Sequence, residues 1–543
     1  MRVHALAVLV LLAVVPLEAQ LSESMEVRVM ELEATVLDRG GRLVQGLTRD
    51  AFRVEIGGRE VPVSNFFVVE NGVVLAEDDA NAAVPASQIP PMRESIPTNV
   101  VIFIDEVHLS TGSRKRALEG LQTYVRDAFD GSMVVTVIRY SKHFDVRLRP
   151  TGRKPDVLEA IERLRREPFT DDAARDRVHM IQLMDGVLFG NSEAPDVDGE
   201  SPDTIFTRLE TYAEQRTADL ERTISALEDA VALASAFRGR KVLLYVSDGL
   251  PQHPALELFQ YWERATQLGG AGYVWRQSTA RTDMARSMRF DRAPAFRRLA
   301  ESAQRADVAF YSFDAGGLRG YEGRGPDTTR TRERIDTASM HSNMRGGLQY
   351  VAGETGGTYI ANENNIGKAL ARMSEQFSSY YSIGVRPLPG EVRVTVRGRP
   401  ELRVLASKRM PPRTRDDELD QNVRTRLYTR GTENPLEARL SVARASTMEG
   451  RCEVAVTLSV PQPALPPELT PRTVEVRMVM LNEQNDESPL QRFTVPFRSG
   501  RVHHPMVLRI RPRPHVLSVA VSSSSGETSY LQSEIDGTTC REE

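Results

Sequence analysis

The chain has 543 residues, 70 Lys and Arg against 74 Asp and Glu, a formal net charge of −4 and 40% hydrophobic residues. This is ordinary globular composition, and at about 100–200 residues per domain it is material for three or four packed cores. The near-neutral balance excludes a protein held on nucleic acid by charge alone, and two cysteines exclude a disulfide-dense scaffold or a zinc-ribbon array.

Met1-Arg2, the unbroken apolar run Ala5 to Val15 and the small residue Ala19 predict a secretory signal peptide over 1–19. The run is shorter than the roughly 20 residues that cross a bilayer. An exported protein is expected, periplasmic or secreted, with no integral membrane segment once the leader is cleaved. Over 20–76 the pattern is that of a β domain. Val27, Val29, Glu31, Glu33 and Thr35 alternate with Met30, Leu32, Ala34 and Val36, and Asp38-Arg39-Gly40-Gly41 supplies a turn. Phe52, Val54 and Ile56 form a second alternating stretch, and Val61 to Val69 a third. Ala, Pro, Asp and Ser dominate 77–97, a linker composition.

The central region, 98–390, changes character. Asn99 to Asp105, Lys241 to Gly249 and Val308 to Asp314 are unbroken apolar runs that end in a carboxylate. Such runs belong to strands buried on both faces. Helical periodicity lies between them: Arg114 to Arg126, then Leu220, Ile224, Leu227, Val231 and Ala234, then Phe296, Leu299 and Ala303, then Ile366, Leu370, Met373 and Phe377. Alternating strand and helix predicts an α/β fold, a doubly wound, mostly parallel sheet. An insertion interrupts it over about 169–219, polar and without clear periodicity up to Pro202. One long charge-rich helix is expected from Asp203 to Gly239.

A charged connector spans 407–426, and alternation returns over 427–543, which predicts a C-terminal β-sandwich. His503-His504 reads there as a polar turn. Cys452 and Cys540 both fall in this segment, so a disulfide and two buried thiols stand as alternatives.

Ligands of open α/β sheets bind beyond the carboxyl ends of the strands. Three strands deliver Asp105, Asp248 and Asp314 to that edge. Clustered carboxylates repel one another unless a proton, a cation or an Arg intervenes, which makes a hard ion such as Mg²⁺ or Ca²⁺ a candidate cofactor. Capping of the following turn is the alternative role for each Asp.

Several stretches together resemble a known family. They are Thr35-Val36-Leu37-Asp38-Arg39-Gly40-Gly41, Gly46 to Val54, Phe103-Ile104-Asp105, Val134 to Ile138 with Phe144-Asp145-Val146, Gly239-Arg240-Lys241 through Ser247-Asp248-Gly249, and Tyr380 to Gly384. The ordered set is similar to the exported bacterial VWFA-related (Acidobacterial-type) family, built around a von Willebrand factor type A domain. The resemblance implies a Rossmann-like α/β domain that binds a protein partner at a metal-ion-dependent adhesion site. It also implies that Asp105 and Asp248 are the metal anchors, with Ser110, Thr170 and Asp314 as further candidates. The family's two loop serines are replaced by Val107 and Leu109, which offer a metal no oxygen, so the site is degenerate. Glu106 and His108 stand as contributors to that site or, the favoured reading, as solvated loop residues.

Enzyme signatures are absent: no His-Glu-x-x-His, no Gly-x-Ser-x-Gly, no phosphate-cradling Gly-Lys-Ser/Thr loop. The expectation is a non-enzymatic, exported, adhesion-type module with a protein partner and no nucleic acid. A structural envelope scaffold with a dead metal site is the second expectation, and a hydrolase hidden in the insertion the third.

Overall fold

The computed structural model describes residues 30–77, 97–189, 200–235, 237, 239–267, 285–317, 337–361, 363, 365–386, 388–409, 415–427, 434–443, 446–448, 451–462, 472–482, 488–498, 500–524 and 526–537. The expected leader and nearly all of the first linker lie outside these residues.

Five strands open the described chain: β1 (Met30–Leu37), β2 (Phe52–Ile56), β3 (Arg59–Val61), β4 (Val63–Glu70) and β5 (Val73–Glu77). Period-two alternation sends Leu32, Ala34 and Val36, and likewise Phe52, Val54 and Ile56, into one core. Asp38 closes the turn after β1, its Oδ1 accepting from the amides of Gly40 and Arg42 at 2.8 and 2.9 Å.

The α/β unit follows as β6 (Thr98–Asp105), α1 (Thr111–Asp127), β7 (Met133–Tyr140), β8 (Phe144–Thr151), α2 (Lys154–Arg166), α3 (Asp172–Phe189), α4 (Pro202–Ser235), β9 (Arg240–Ser247), α5 (Leu256–Gln267), α6 (Ala293–Ala306), β10 (Val308–Asp314), α7 (Thr337–Thr355), β11 (Tyr359–Ile360) and α8 (Ile366–Ser378). Its six-stranded sheet has the order β11-β10-β9-β6-β7-β8, parallel throughout except where β8 returns against β7. β6, β9 and β10 are buried at every position, the burial that their continuous apolar sequences require. Val100, Ile102 and Ile104 face α1, α2 and α8, while Val101 and Phe103 face α4, α6 and α7. Helices therefore cover both faces.

The insertion is more ordered than its sequence suggests. α3 and the first half of α4 pack with α5 around Met184, Leu188, Phe206, Leu209, Phe259 and Trp262, a hydrophobic core separate from those of the sheet. α3 carries only four buried residues in 18, so its apolar stripe is too thin to register as a period.

The carboxyl limit of the α/β unit moves from the expected 390. β12 (Tyr380–Val385) leaves that unit and inserts between β1 and β4, antiparallel to both. β13 (Val392–Val396) then pairs with β2, and β14 (Arg403–Leu405) with β1. The first β unit is thus two facing sheets, β14-β1-β12-β4-β5 and β13-β2-β3, and the α/β unit is inserted between β5 and β12. A fully buried six-residue strand satisfies the apolar pattern of either sheet, so pattern alone does not say which sheet it joins.

Arg240 ties the two units together. Only 2% exposed, it leaves the start of β9 and reaches β1, with Nη1 3.3 Å from Glu33 and Nη2 donating to Thr35 Oγ1 at 3.2 Å. Its guanidinium lies 4.4 Å from the Tyr380 ring centroid.

Beyond the junction, the expected connector contains α9 (Arg415–Thr425), whose Leu419 and Val423 pack on the last unit. Arg477, 1% exposed, fixes it through Asp420 at 2.9 Å and Asp416 at 2.6 Å. The last unit comprises β15 (Arg439–Val442), β16 (Ser446–Met448), β17 (Arg451–Pro461), β18 (Thr473–Asn482), β19 (Gln491–Pro496), β20 (Arg501–Ile510), β21 (Pro514–Ser523) and β22 (Thr528–Asp536). β17 pairs with β15, β16 and β20, and the sheet β19-β18-β21-β22 closes over a shared core of Val454, Val456, Val476, Leu517 and Val519. His503-His504, expected in a turn, lies within β20 with His504 5.5 Å from the Phe493 ring. Pairing of the whole Arg501–Pro461 register overrides the turn preference of its polar residues.

Cys452 is fully buried and disulfide-bonded, and the chain's other cysteine is Cys540, outside the described residues. Cross-linking so long a loop restricts the unfolded chain, an effect on the order of 4 kcal/mol. Reduction is expected to lower the denaturant midpoint of this unit, measurable by unfolding with and without dithiothreitol. Among the described residues no helix is long and apolar enough to cross a membrane.

Candidate functional site: the carboxyl rim of the α/β sheet

Strand order brings the acidic tips to one rim. β6 runs between β9 and β7, Asp105 is level with Tyr140, and Asp314 is level with Ser247, next to Asp248. The expected convergence is present. The carboxylates, however, are turned inward: Asp105 is 0% and Asp314 2% exposed, and Asp248 is half-buried.

Asp105 is engaged on both oxygens. Oδ1 accepts from the amides of Val107 (3.0 Å) and His108 (3.3 Å) and so caps a 3-10 turn over Glu106–His108. Oδ2 accepts from the Tyr245 hydroxyl at 2.6 Å and meets His108 Nδ1 at 2.8 Å. Burial, reinforced by Asp105, pushes the Tyr245 hydroxyl well above the usual phenol range, so it stays a donor.

Asp248 latches the neighbouring loop. Its Oδ2 accepts from the Ser110 amide at 2.9 Å, and its own amide donates to the His108 carbonyl at 2.9 Å. Gly249 follows at φ +117°, a conformation open to glycine, and a Cβ there would lie 2.9 Å from the Met344 carbonyl oxygen. Asp314 Oδ1 accepts from the Gly316 amide at 2.9 Å, while Oδ2 faces Tyr359 at 3.3 Å and Arg345 at 3.5 Å.

The hydroxyl candidates do not join them. Ser110 caps α1, its Oγ accepting from the Ser113 amide and donating to Ser113 Oγ at 2.8 Å. Thr170 is exposed in the connection after α2, beside Phe169, whose ring centroid lies 5.1 Å from the Arg114 guanidinium. Val107 packs against the core on one face of the sheet and Leu109 belongs to the core on the other. Two positions that would supply metal oxygens thus hold packing residues.

This donor set does not fit Mg²⁺ or Ca²⁺, which need about six oxygens. Asp105 gives its oxygens to four protein donors. Among the described residues, no group of three or more His, Cys, Asp or Glu is placed to hold a metal ion.

Glu106 and His108, expected in solvent, are drawn in. Glu106 is 8% exposed and pairs with Arg114 Nε at 2.6 Å and Arg139 Nε at 3.3 Å. Arg139 and Arg147 both pair with Glu167 after α2, so an alternating charge chain links α1, the turn after β6, β7, β8 and the end of α2. Its only sequence signal was an acid next to a strand-end Asp, which local pattern reads as loop. Arg116 ties α1 to the β10 loop, Nη2 donating to the carbonyls of Ala315 (3.2 Å) and Gly316 (3.1 Å). Thr111, Gly112, Lys115 and Arg116 remain exposed along the crest. The Asp105–His108 pair is the arrangement that orients a general base, but the nearby Ser110 and Ser113 hydroxyls are bonded to each other.

No family model matches the chain, and no curated protein does. Solved structures that are similar to it include an aerotolerance-related membrane protein from Bacteroides fragilis, at 11% identity over 51% of this chain and 98% of that chain, TM-score 0.25. BatB from Bacteroides thetaiotaomicron is 14% identical over 51% and 98%, TM-score 0.22. The three N-terminal domains of the type V pili tip protein Mfa5 from Porphyromonas gingivalis are 9% identical over 90% and 78%, TM-score 0.25. At these TM-scores the likenesses carry no argument about this chain's function, and the mixed α/β sheet flanked by antiparallel sheets rests on its own geometry.

Proposed function

We propose that this chain is an exported, non-enzymatic protein-interaction module of the type A kind, which docks a protein partner on the crest of the α/β rim. The supporting observation is the latching of the β6–α1 and β9–α5 loops to each other through Asp248, Ser110 and His108. Loops fixed in this way lose little entropy on binding, and the exposed side chains between them, Thr111, Lys115 and Arg116, carry the contact. The degenerate adhesion site works without a cation, because its anchors are consumed in holding the loops.

The structural-scaffold reading draws on a different observation. A buried arginine, Arg240, fastens the first flanking unit to the α/β unit, and another, Arg477, holds α9 on the last unit. The two readings separate in affinity capture from envelope extract with wild-type chain and a Thr111→Arg/Lys115→Glu variant. Both positions are exposed, so the fold is retained. Docking at the crest requires a partner retained at least tenfold less by the variant; equal retention by both chains removes the proposal and leaves the scaffold.

A further inference from the structure

We infer that the outer face of β20 is a docking surface for an anionic lipid bilayer, independent of the crest. Residues 488–526 contain six Arg and three His with no Asp or Glu, where the chain's average frequency would put about five acids. A chain of net charge −4 therefore concentrates positive charge in β19, β20 and the start of β21, of which Arg492 is met by Asp420 and Arg509 by Glu453.

The fold lays this charge out flat. β20 is paired with β17 along one edge, and its alternate residues Arg501, His503, Pro505, Val507 and Arg509 are exposed on one side of the sheet. Arg498 and Arg511, also exposed, extend the row at either end. Arg501 and Arg509 are eight residues apart, about 27 Å along an extended strand. In the strands of this sheet the one acid is Glu453, paired with Arg509 at 2.8 Å. The floor beside the row is low, because β17 presents Ala455, Thr457 and Ser459 opposite Val507, Pro505 and His503.

Two observations choose a bilayer over other polyanions. Val507 is 63% exposed in the middle of the cations. A soluble polyanion offers it nothing, whereas the headgroup boundary accepts an apolar side chain flanked by Arg. The unit's rings Phe493, Phe497 and Tyr530 are half-buried or buried, so no exposed Phe, Tyr or Trp among the described residues of the unit offers a sugar a stacking platform. Pro505 and the flanking arginines also discourage strand addition at this edge.

The test is flotation of the chain from Gln20 onward with vesicles, one set pure phosphatidylcholine and the other one-quarter phosphatidylglycerol. At low salt the chain is expected to float with the anionic set only, and about 0.5 M NaCl should release it. Each cation near an anionic surface is worth about fivefold in partition, so Arg501→Ala/Arg509→Ala/Arg511→Ala should weaken binding about a hundredfold. Val507→Ser should weaken it with all charges intact. These residues are exposed, and an unchanged melting temperature confirms the fold of each variant. Failure to float with the anionic vesicles, equal flotation with both sets, or a triple variant that binds as wild type overturns the inference. Heparin binding lost in the triple variant but untouched by Val507→Ser, together with flotation indifferent to Val507, identifies a soluble polyanion instead and likewise overturns it.

Discussion

Replacing Asp105 by alanine is expected to lower unfolding free energy by about 3–5 kcal/mol, the range for removing one partner from a buried, charged hydrogen-bond cluster. The substitution strands the Tyr245 hydroxyl and leaves the Val107 and His108 amides without their acceptor. It also releases the turn over which the β6–α1 loop is built. Asp105→Asn keeps an acceptor for the two amides and should cost less. A metal ligand behaves in the opposite sense: its removal spares the metal-free protein and abolishes a cation response. Urea unfolding in EDTA and in millimolar Mg²⁺ or Ca²⁺ distinguishes the two. Coincident wild-type midpoints with a large Asp105→Ala loss are expected; a cation-dependent midpoint that vanishes in the variant contradicts the latch.

Arg240→Ala is expected to cost a similar amount, and its cost should grow with pH. Arg240 is the counter-charge of Glu33 across the junction. Burial pushes the Glu33 carboxyl up from 4.5 to about 7, against the pull of Arg240. A folded pKa above the unfolded one means that the folded state holds its proton more tightly. The resulting stability is full below about 4.5 and is lost as pH rises through about 7. Wild-type stability should therefore decline between these values, and Glu33→Gln should flatten that part of the profile. In Arg240→Ala the ionised Glu33 lacks its partner, so the deficit approaches about 3–5 kcal/mol above pH 7 and shrinks near pH 5. Urea midpoints at several pH values for the three chains check this; a deficit independent of pH would assign the role of Arg240 to its hydrogen bonds to Thr35 and Gln376 and its packing on Tyr380 rather than to Glu33.

Much of the fold is readable residue by residue. The apolar runs ending at Asp105, Asp248 and Asp314 read correctly as buried parallel strands, and the periodicity of Phe296, Leu299 and Ala303 as a helix. Both signals are local, since a strand buried on both faces and an amphipathic helix leave their period in the sequence. α3 left none, because its few buried residues meet a partner, α5, that follows β9.

For the candidate site the residues were legible and their roles were not. Asp105, Asp248 and Asp314 could be named from strand ends, and the capping role found for Asp105 was one of the two alternatives the residues left open. What consumes them is distant in sequence: Tyr245 reaches Asp105 across 140 positions and Ser110 reaches Asp248 across 138.

The amino-acid order alone determined most of the segments that become strands and helices, α3 and α9 excepted, that three apolar strands end in carboxylates, and where the arginines cluster. Tertiary structure alone decided that β12 closes the first β unit rather than the α/β sheet, that the rim carboxylates face inward, and that the arginines of β20 share one exposed face. The reason is physical. Period and composition report how each residue is solvated along its own element, whereas sheet membership and hydrogen-bond partners depend on which elements pack together.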